Sequence, residues 1–153
     1  MPGDFLDTSA LAKHYHPELG SAEVDRLWAD PARDLFVSRL SALEIVSVFA
    51  AKVRAGAISL ADFDALRRRF AADLAKLRRL KGARLTAAHY QEAERLLRQR
   101  GLTHRLRTLD ALQLAVALDL RRRGYLQRVV SADKDLLTVA TAEGFSVFDP
   151  ENP

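Results

Sequence analysis

Leu126-Gln127-Arg128-Val129-Val130-Ser131-Ala132-Asp133-Lys134-Asp135 decides the fold class: a short apolar run ends on small and acidic residues, and a helical pattern follows at once. Two adjacent β-branched valines in a run of strand length predict a strand over Leu126 to Ser131. Leu136 to Glu143 then reads as a helix stopped by Gly144, and Phe145 to Phe148 as another strand closed by Asp149-Pro150. The acid pair around Asp133 therefore stands at the C-terminal end of a strand.

Moving upstream, Arg107-Thr108-Leu109-Asp110-Ala111-Leu112-Gln113-Leu114-Ala115-Val116-Ala117-Leu118 reads as an almost wholly apolar helix that runs to Gly124. Apolar residues on most of its faces predict a helix enclosed by protein. Asp110 in its first turn is costly unless its charge is compensated. Taken alone it has a local explanation, since Thr108 is a suitable N-cap and a first-turn Asp faces the positive end of the helix dipole.

The same alternation extends to the start of the chain. Thr86 caps a helix through Tyr90, Ala93, Leu96 and Leu97 to Gly101, preceded by a third strand candidate, Ala83-Arg84-Leu85. Ser59 and Asp62 form a capping box for a long helix with Leu60, Phe63, Leu66, Phe70, Leu74 and Leu77 on one face. Leu35 to Ser38 is a strand, and Ser41 caps a helix through Ile45, Phe49 and Val53 to Gly56, with Glu44 in its first turn. Phe5-Leu6-Asp7 is a strand that ends on an acid, followed by helices near Ala10 to Tyr15 and Ser21 to Ala29. Short apolar strands alternating with helices predict an α/β sandwich with a mostly parallel sheet and right-handed crossovers.

Composition sets the outer bounds. A chain of 153 residues that is 48% hydrophobic fits one domain over 1–153. The lack of cysteine excludes disulfides and thiolate metal sites and suits a cytoplasmic location. No basic segment followed by a long apolar run opens the chain, and no run is long enough to span a membrane, so a soluble protein is expected. The formal charge of +4 leans toward a polyanionic partner.

In open α/β sheets ligands bind beyond the carboxyl ends of the strands, where helix N-termini also gather. Asp7 and Asp133 follow strands while Glu44 and Asp110 begin helices, so one sheet edge can receive all four. Each close carboxylate pair costs on the order of several kcal/mol at an effective dielectric of about 20, so such a cluster needs cations or protons. Oxygen donors without Cys or clustered His select Mg²⁺ or Mn²⁺. Such a site suits metal-assisted chemistry on a phosphate.

The remaining polar residues divide into two groups. Arg67-Arg68-Arg69 and Arg121-Arg122-Arg123 read as solvated faces, whereas Arg105 and Arg107 enter the Asp110 helix and are the better candidates for phosphate contact. His14, His16, His89 and His104 lack metal-ligand spacing and read as packing or surface residues. Trp28 reads as packing an early helix, and Phe49, Phe63 and Phe70 as core or dimer contacts.

Leu6-Asp7-Thr8-Ser9-Ala10-Leu11-Ala12-Lys13, Ser41-Ala42-Leu43-Glu44, Leu106 to Ala115 and Ser131-Ala132-Asp133-Lys134-Asp135-Leu136 together resemble a PIN-domain ribonuclease, most nearly the VapC toxins of type II toxin–antitoxin systems. The resemblance implies a three-layer α/β/α sandwich with a five-stranded, mostly parallel sheet. It implies Mg²⁺- or Mn²⁺-dependent hydrolysis of RNA by Asp7, Glu44, Asp110 and Asp133, with those acids as metal ligands. Thr8 or Ser9, and Ser131, match hydroxyl residues that orient the acids, and Asp135 matches a further acid of some members. The resemblance also implies a homodimer held inactive by a VapB-like antitoxin. Asp7 lacks the second acid two residues on that an aspartate-nucleophile phosphatase uses, and Asp4 to Asp7 is the wrong arrangement for a receiver domain. A non-catalytic RNA- or protein-binding module on the same fold is the remaining alternative.

Overall fold

The computed structural model describes residues 3–76 and 78–153. Along the chain these form β1 (Gly3–Leu6), α1 (Thr8–Tyr15), α2 (Ser21–Ala29), β2 (Leu35–Ser38), α3 (Ser41–Arg54), α4 (Leu60–Lys76), β3 (Leu80–Ala83), α5 (Ala87–Gln99), α6 (Thr108–Arg122), β4 (Leu126–Val130), α7 (Lys134–Ala142) and β5 (Ser146–Phe148). The five strands make one sheet in the order β3-β2-β1-β4-β5, and every neighbouring pair is parallel. This is the α/β architecture expected from the alternation.

Strand order explains the layers. From β1 the chain steps outward through β2 to β3, then returns past β1 to β4 and β5. With crossovers of one hand, reversing the direction of travel moves the connecting helices to the opposite face. One apolar cluster accordingly joins Leu6, Leu35 and Val37 to Leu11 of α1, Val24 of α2, Phe49 of α3 and Phe70 of α4. The other joins Phe5, Phe36 and Val129 to α5, α6 and α7 through Leu96, Leu114 and Val139. Adjacent strand residues such as Phe5 and Leu6 thus enter opposite clusters, which is why the strands read as unbroken apolar runs rather than alternating ones.

Helix α6 lies within the second cluster, with every residue from Ala111 to Leu118 buried. Full burial of each such leucine is worth roughly 1.5–3 kcal/mol, so this helix is a rigid mount for its first turn.

Strands β1, β4 and β5 differ from expectation by one or two residues at an end, and four other local boundaries differ for a structural reason. The third strand is Leu80–Ala83 rather than Ala83 to Leu85. Pairing of Leu80, Lys81, Gly82 and Ala83 with the four residues of β2 selects that register, and Gly82 lets the strand pass within contact of Leu74, where a Cβ would come to 2.7 Å of its Cδ1. The N-cap of α6 is Arg107, not Thr108, and the N-cap of α3 is Leu40, not Ser41. The hydroxyl of Ser41 instead enters a buried network described below. Helix α7 starts at Lys134, earlier than expected, because Asp133 caps it. On α4, Ser59 and Asp62 cap reciprocally as expected, Leu60 remains exposed, and Leu77 lies outside the described residues.

Candidate active site

The reversal of travel between β1 and β4 creates a switch point, and the crevice at the carboxyl ends of these two strands is where open α/β sheets bind ligands. A cleft of about 260 Å³ lies there, lined by Asp7, Thr8, Ser9, Glu44, Ser47, Val48, Arg107, Leu109, Asp110, Gln113 and Asp133. All four acids singled out from the sequence line it, although they come from four separate parts of the chain.

Asp7 is the anchor. Its backbone N–H donates to the Val130 carbonyl at 3.1 Å, which locks the end of β1 to β4, and its side chain caps α1 by accepting from Ala10 N–H at 3.0 Å. Ser131 Oγ donates to Asp7 Oδ2 at 2.7 Å and Ser9 Oγ donates to Oδ1 at 2.8 Å. Burial nevertheless dominates and pushes the Asp7 carboxyl up to about 6; these hydrogen bonds oppose the rise and the charge of Asp133 adds to it.

Asp110 is the third residue of α6 and accepts from the Arg107 backbone N–H at 3.3 Å. Its carboxyl is also raised, chiefly by burial and then by Asp133, with Arg107 opposing. The Arg107 guanidinium stands 3.4 Å from Asp110 and 3.6 Å from Asp133, and is the one cation lining the cleft among the described residues. Asp133 caps α7, accepting from Asp135 N–H at 2.9 Å and Leu136 N–H at 3.2 Å. Glu44 accepts from Thr8 Oγ1 at 3.1 Å and from Gln113 Nε2 at 2.5 Å.

Thr8, Ser9 and Ser131 thus each touch an acid of the cleft or its partner. Asp135 is exposed and does not line the cleft, and Arg105 is likewise exposed and outside the lining, in contrast to Arg107. Gln113 received no role from the sequence. Its signal was that of an isolated amide between Ala111 and Leu118 in an otherwise apolar segment.

The histidines serve elsewhere. His89 Nε2 meets Asp119 at 2.8 Å and ties α5 to α6, while His14 stacks on Trp28 with ring centroids 3.8 Å apart. Phe49 and Phe70 are buried in the core and Phe63 packs partly against it. Among the described residues no helix is long and apolar enough to cross a membrane.

The donor set bears on what the cleft can hold. Its acids offer only oxygen, two of them are held above their ordinary range by burial and by a neighbouring carboxylate, and one exposed arginine offsets them. That excess of negative charge around oxygen donors fits a hard divalent cation. At their present spacing, no three of the acidic or histidine groups among the described residues converge on one point. Asp110 and Asp133 are spaced instead around the Arg107 guanidinium.

A family model of the PIN domain matches residues 5–142. No curated protein matches the sequence significantly. Among solved structures, VapC20 of Mycobacterium tuberculosis, a sarcin–ricin-loop-cleaving toxin, is similar at a TM-score of 0.65 and 22% identity, over 94% of this chain and 96% of that one. FitAcB of Neisseria gonorrhoeae matches at 0.61 and 17% identity, over 96% and 97% of the two chains. DNA-bound VapBC of Salmonella typhimurium matches at 0.60 and 17% identity, over 98% and 99%. The three-layer fold with its parallel sheet is theirs, and with the family match over nearly the whole chain the protein belongs to the PIN-domain family.

Proposed function

We propose that this protein is a Mg²⁺- or Mn²⁺-dependent endoribonuclease, the VapC-type toxin of a toxin–antitoxin pair, built as a single PIN domain over 1–153. The observation that carries the reading is that Asp7, Glu44, Asp110 and Asp133, from four separate parts of the chain, line one cleft at the β1/β4 switch point. Asp7 and Asp110, whose charges burial leaves poorly compensated, are assigned as the principal ligands, with Glu44 and Asp133 completing the set. When bound, the ion supplies a Lewis acid for the phosphate and acidifies water for attack on phosphorus.

The chain's own residues supply position and charge. Ser9 and Ser131 fix the Asp7 carboxylate by donating to it, and Thr8 with Gln113 does the same for Glu44. The enclosed body of α6 holds Asp110 against displacement. Arg107, exposed at the mouth, is placed to turn from the acids to a backbone phosphate of RNA. Hydrolysis then breaks the phosphodiester and leaves a 3′-hydroxyl on one fragment.

The toxin role is supported by the likeness to VapC and VapBC structures. It entails a VapB-like antitoxin, a homodimer and a cytoplasmic location. Incubating the purified chain with total RNA, with Mg²⁺ or Mn²⁺ and then with EDTA, tests the enzyme. Cleavage abolished by EDTA and by Asp110→Asn in a folded protein is expected; metal-independent cleavage, or RNA binding with no cleavage, overturns it in favour of a different nuclease or a binding module. Growth arrest on expression, relieved by a neighbouring small DNA-binding protein, tests the toxin role.

A further inference from the structure

Gln113 stands in the second turn of α6, only 2% exposed, as the sole polar residue between Ala111 and Leu118. Its Nε2 lies 2.5 Å from Glu44 Oε1, 3.1 Å from Ser41 Oγ and 3.3 Å from Thr8 Oγ1. Thr8 Oγ1 also donates to Glu44 Oε1 at 3.1 Å and lies 2.9 Å from Ser41 Oγ. A buried network therefore joins the first turns of α1 and α3 to α6, and it ends on one carboxylate oxygen of the cleft.

The amide's orientation is set by that carboxylate. Turning it over would let Gln113 Oε1 accept from the Ser41 hydroxyl, the Thr8 proton being engaged by Glu44, but would press an amide oxygen against Glu44 Oε1. As it stands, Gln113 Oε1 is buried with no hydrogen-bond partner. Buried amide oxygens are ordinarily satisfied, and a leucine would suit this apolar helix without an orphaned acceptor. The arrangement is thus poor as a stabilising device and good as an orienting one. Two donors, Gln113 Nε2 and Thr8 Oγ1, meet the same oxygen of Glu44, which leaves Oε2 as the oxygen not engaged by the network.

We propose that Gln113 is a positioning residue that, acting through Glu44, fixes the carboxylate oxygen offered to a divalent cation in the cleft. The inference rests on the metal-dependent reading of the site given above. The experiment is Mn²⁺ titration of the full-length protein, followed by electron paramagnetic resonance, for wild type, Gln113→Leu, Glu44→Gln and the double variant. Thermal melting in EDTA runs in parallel, and Gln113→Met replaces the leucine variant if that one does not fold.

Gln113→Leu is expected to weaken Mn²⁺ binding about ten- to a hundredfold, the size of effect that loss of a hydrogen bond to a metal-binding carboxylate gives, without lowering the melting temperature of the metal-free protein. In the Glu44→Gln background the same substitution should change Mn²⁺ affinity by less than about twofold, because its route of action is gone. Equal weakening in both backgrounds, or wild-type Mn²⁺ affinity in a folded Gln113→Leu protein, overturns the proposal. Wild-type protein that binds no Mn²⁺ overturns the metal-dependent reading itself, and is distinguishable because it precedes any comparison of variants.

Discussion

Asp7→Asn should separate stability from activity in this protein, making it more stable while removing its chemistry. Asp7 is 6% exposed, and its carboxyl is pushed from an ordinary 3.8 up to about 6, mainly by burial. Holding that group ionised at neutral pH therefore costs the folded state about 3 kcal/mol, at 1.36 kcal/mol per tenfold change in proton affinity. The sign follows from proton counting. Between about pH 4 and 6 the folded protein keeps a proton on Asp7 that the unfolded chain has released, so this group's contribution to stability falls as pH rises through that window, and the full cost is present above about 6.

An asparagine carries no such charge. It can still accept from Ala10 N–H, and Ser131 Oγ, which already accepts from Asp133 N–H at 2.9 Å, has a second lone pair for the new amide. Some of the gain is lost in rearranging these contacts, leaving a net stabilisation of about 1–3 kcal/mol, or about 3–8 °C in Tm for a domain of this size. The assay is urea and thermal denaturation in EDTA at several pH values, alongside RNA cleavage in Mn²⁺. The variant should be more stable than wild type at pH 7.5, the gap should close toward pH 4, and cleavage should be lost. If Asp7→Asn is no more stable at pH 7.5, or its advantage is the same at pH 4.5, burial of an uncompensated charge is the wrong account of this residue.

Two further outcomes follow from specific contacts. Arg107→Ala removes the guanidinium that stands between Asp110 and Asp133, so Mn²⁺ should bind several-fold more tightly while the KM for RNA rises and loses part of its salt dependence; movement of both quantities in the same direction would argue against the two-sided role. Glu143, whose side chain is 7% exposed, accepts from Arg95 and Arg100 and so binds α5 to the end of α7; those contacts outweigh burial and hold its carboxyl below the ordinary range. Glu143→Ala should cost about 1–3 kcal/mol at neutral pH, with the difference from wild type shrinking as acid removes the same charge, and leave cleavage per folded molecule unchanged. Denaturation at pH 7 and pH 4 with active-site titration checks both halves.

β4 and α7 were legible because Val129-Val130 and the helix pattern ending at Gly144 are strong local signals. β3 was misplaced by three residues because Leu80-Lys81-Gly82-Ala83 has little strand propensity of its own; its pairing with β2 and the passage over Leu74 make it a strand. The same holds for Ser41. A serine before an apolar run is a capping signal, yet here backbone geometry passes the cap position to Leu40 and the hydroxyl is drawn into the buried network with Thr8 and Gln113.

What the sequence determined by itself is the alternation of strand and helix and the presence of an acid at each of four junctions, because hydrophobic period, caps and turn residues are local properties. What only the tertiary structure decided is which junctions meet. Strand order places β1 beside β4, so Asp7 and Asp133, 126 positions apart in number, share a cleft with Glu44 and Asp110. It also chose Arg107 over Arg105 and brought in Gln113, since a side chain's direction and its burial depend on packing from distant segments that no window of sequence contains.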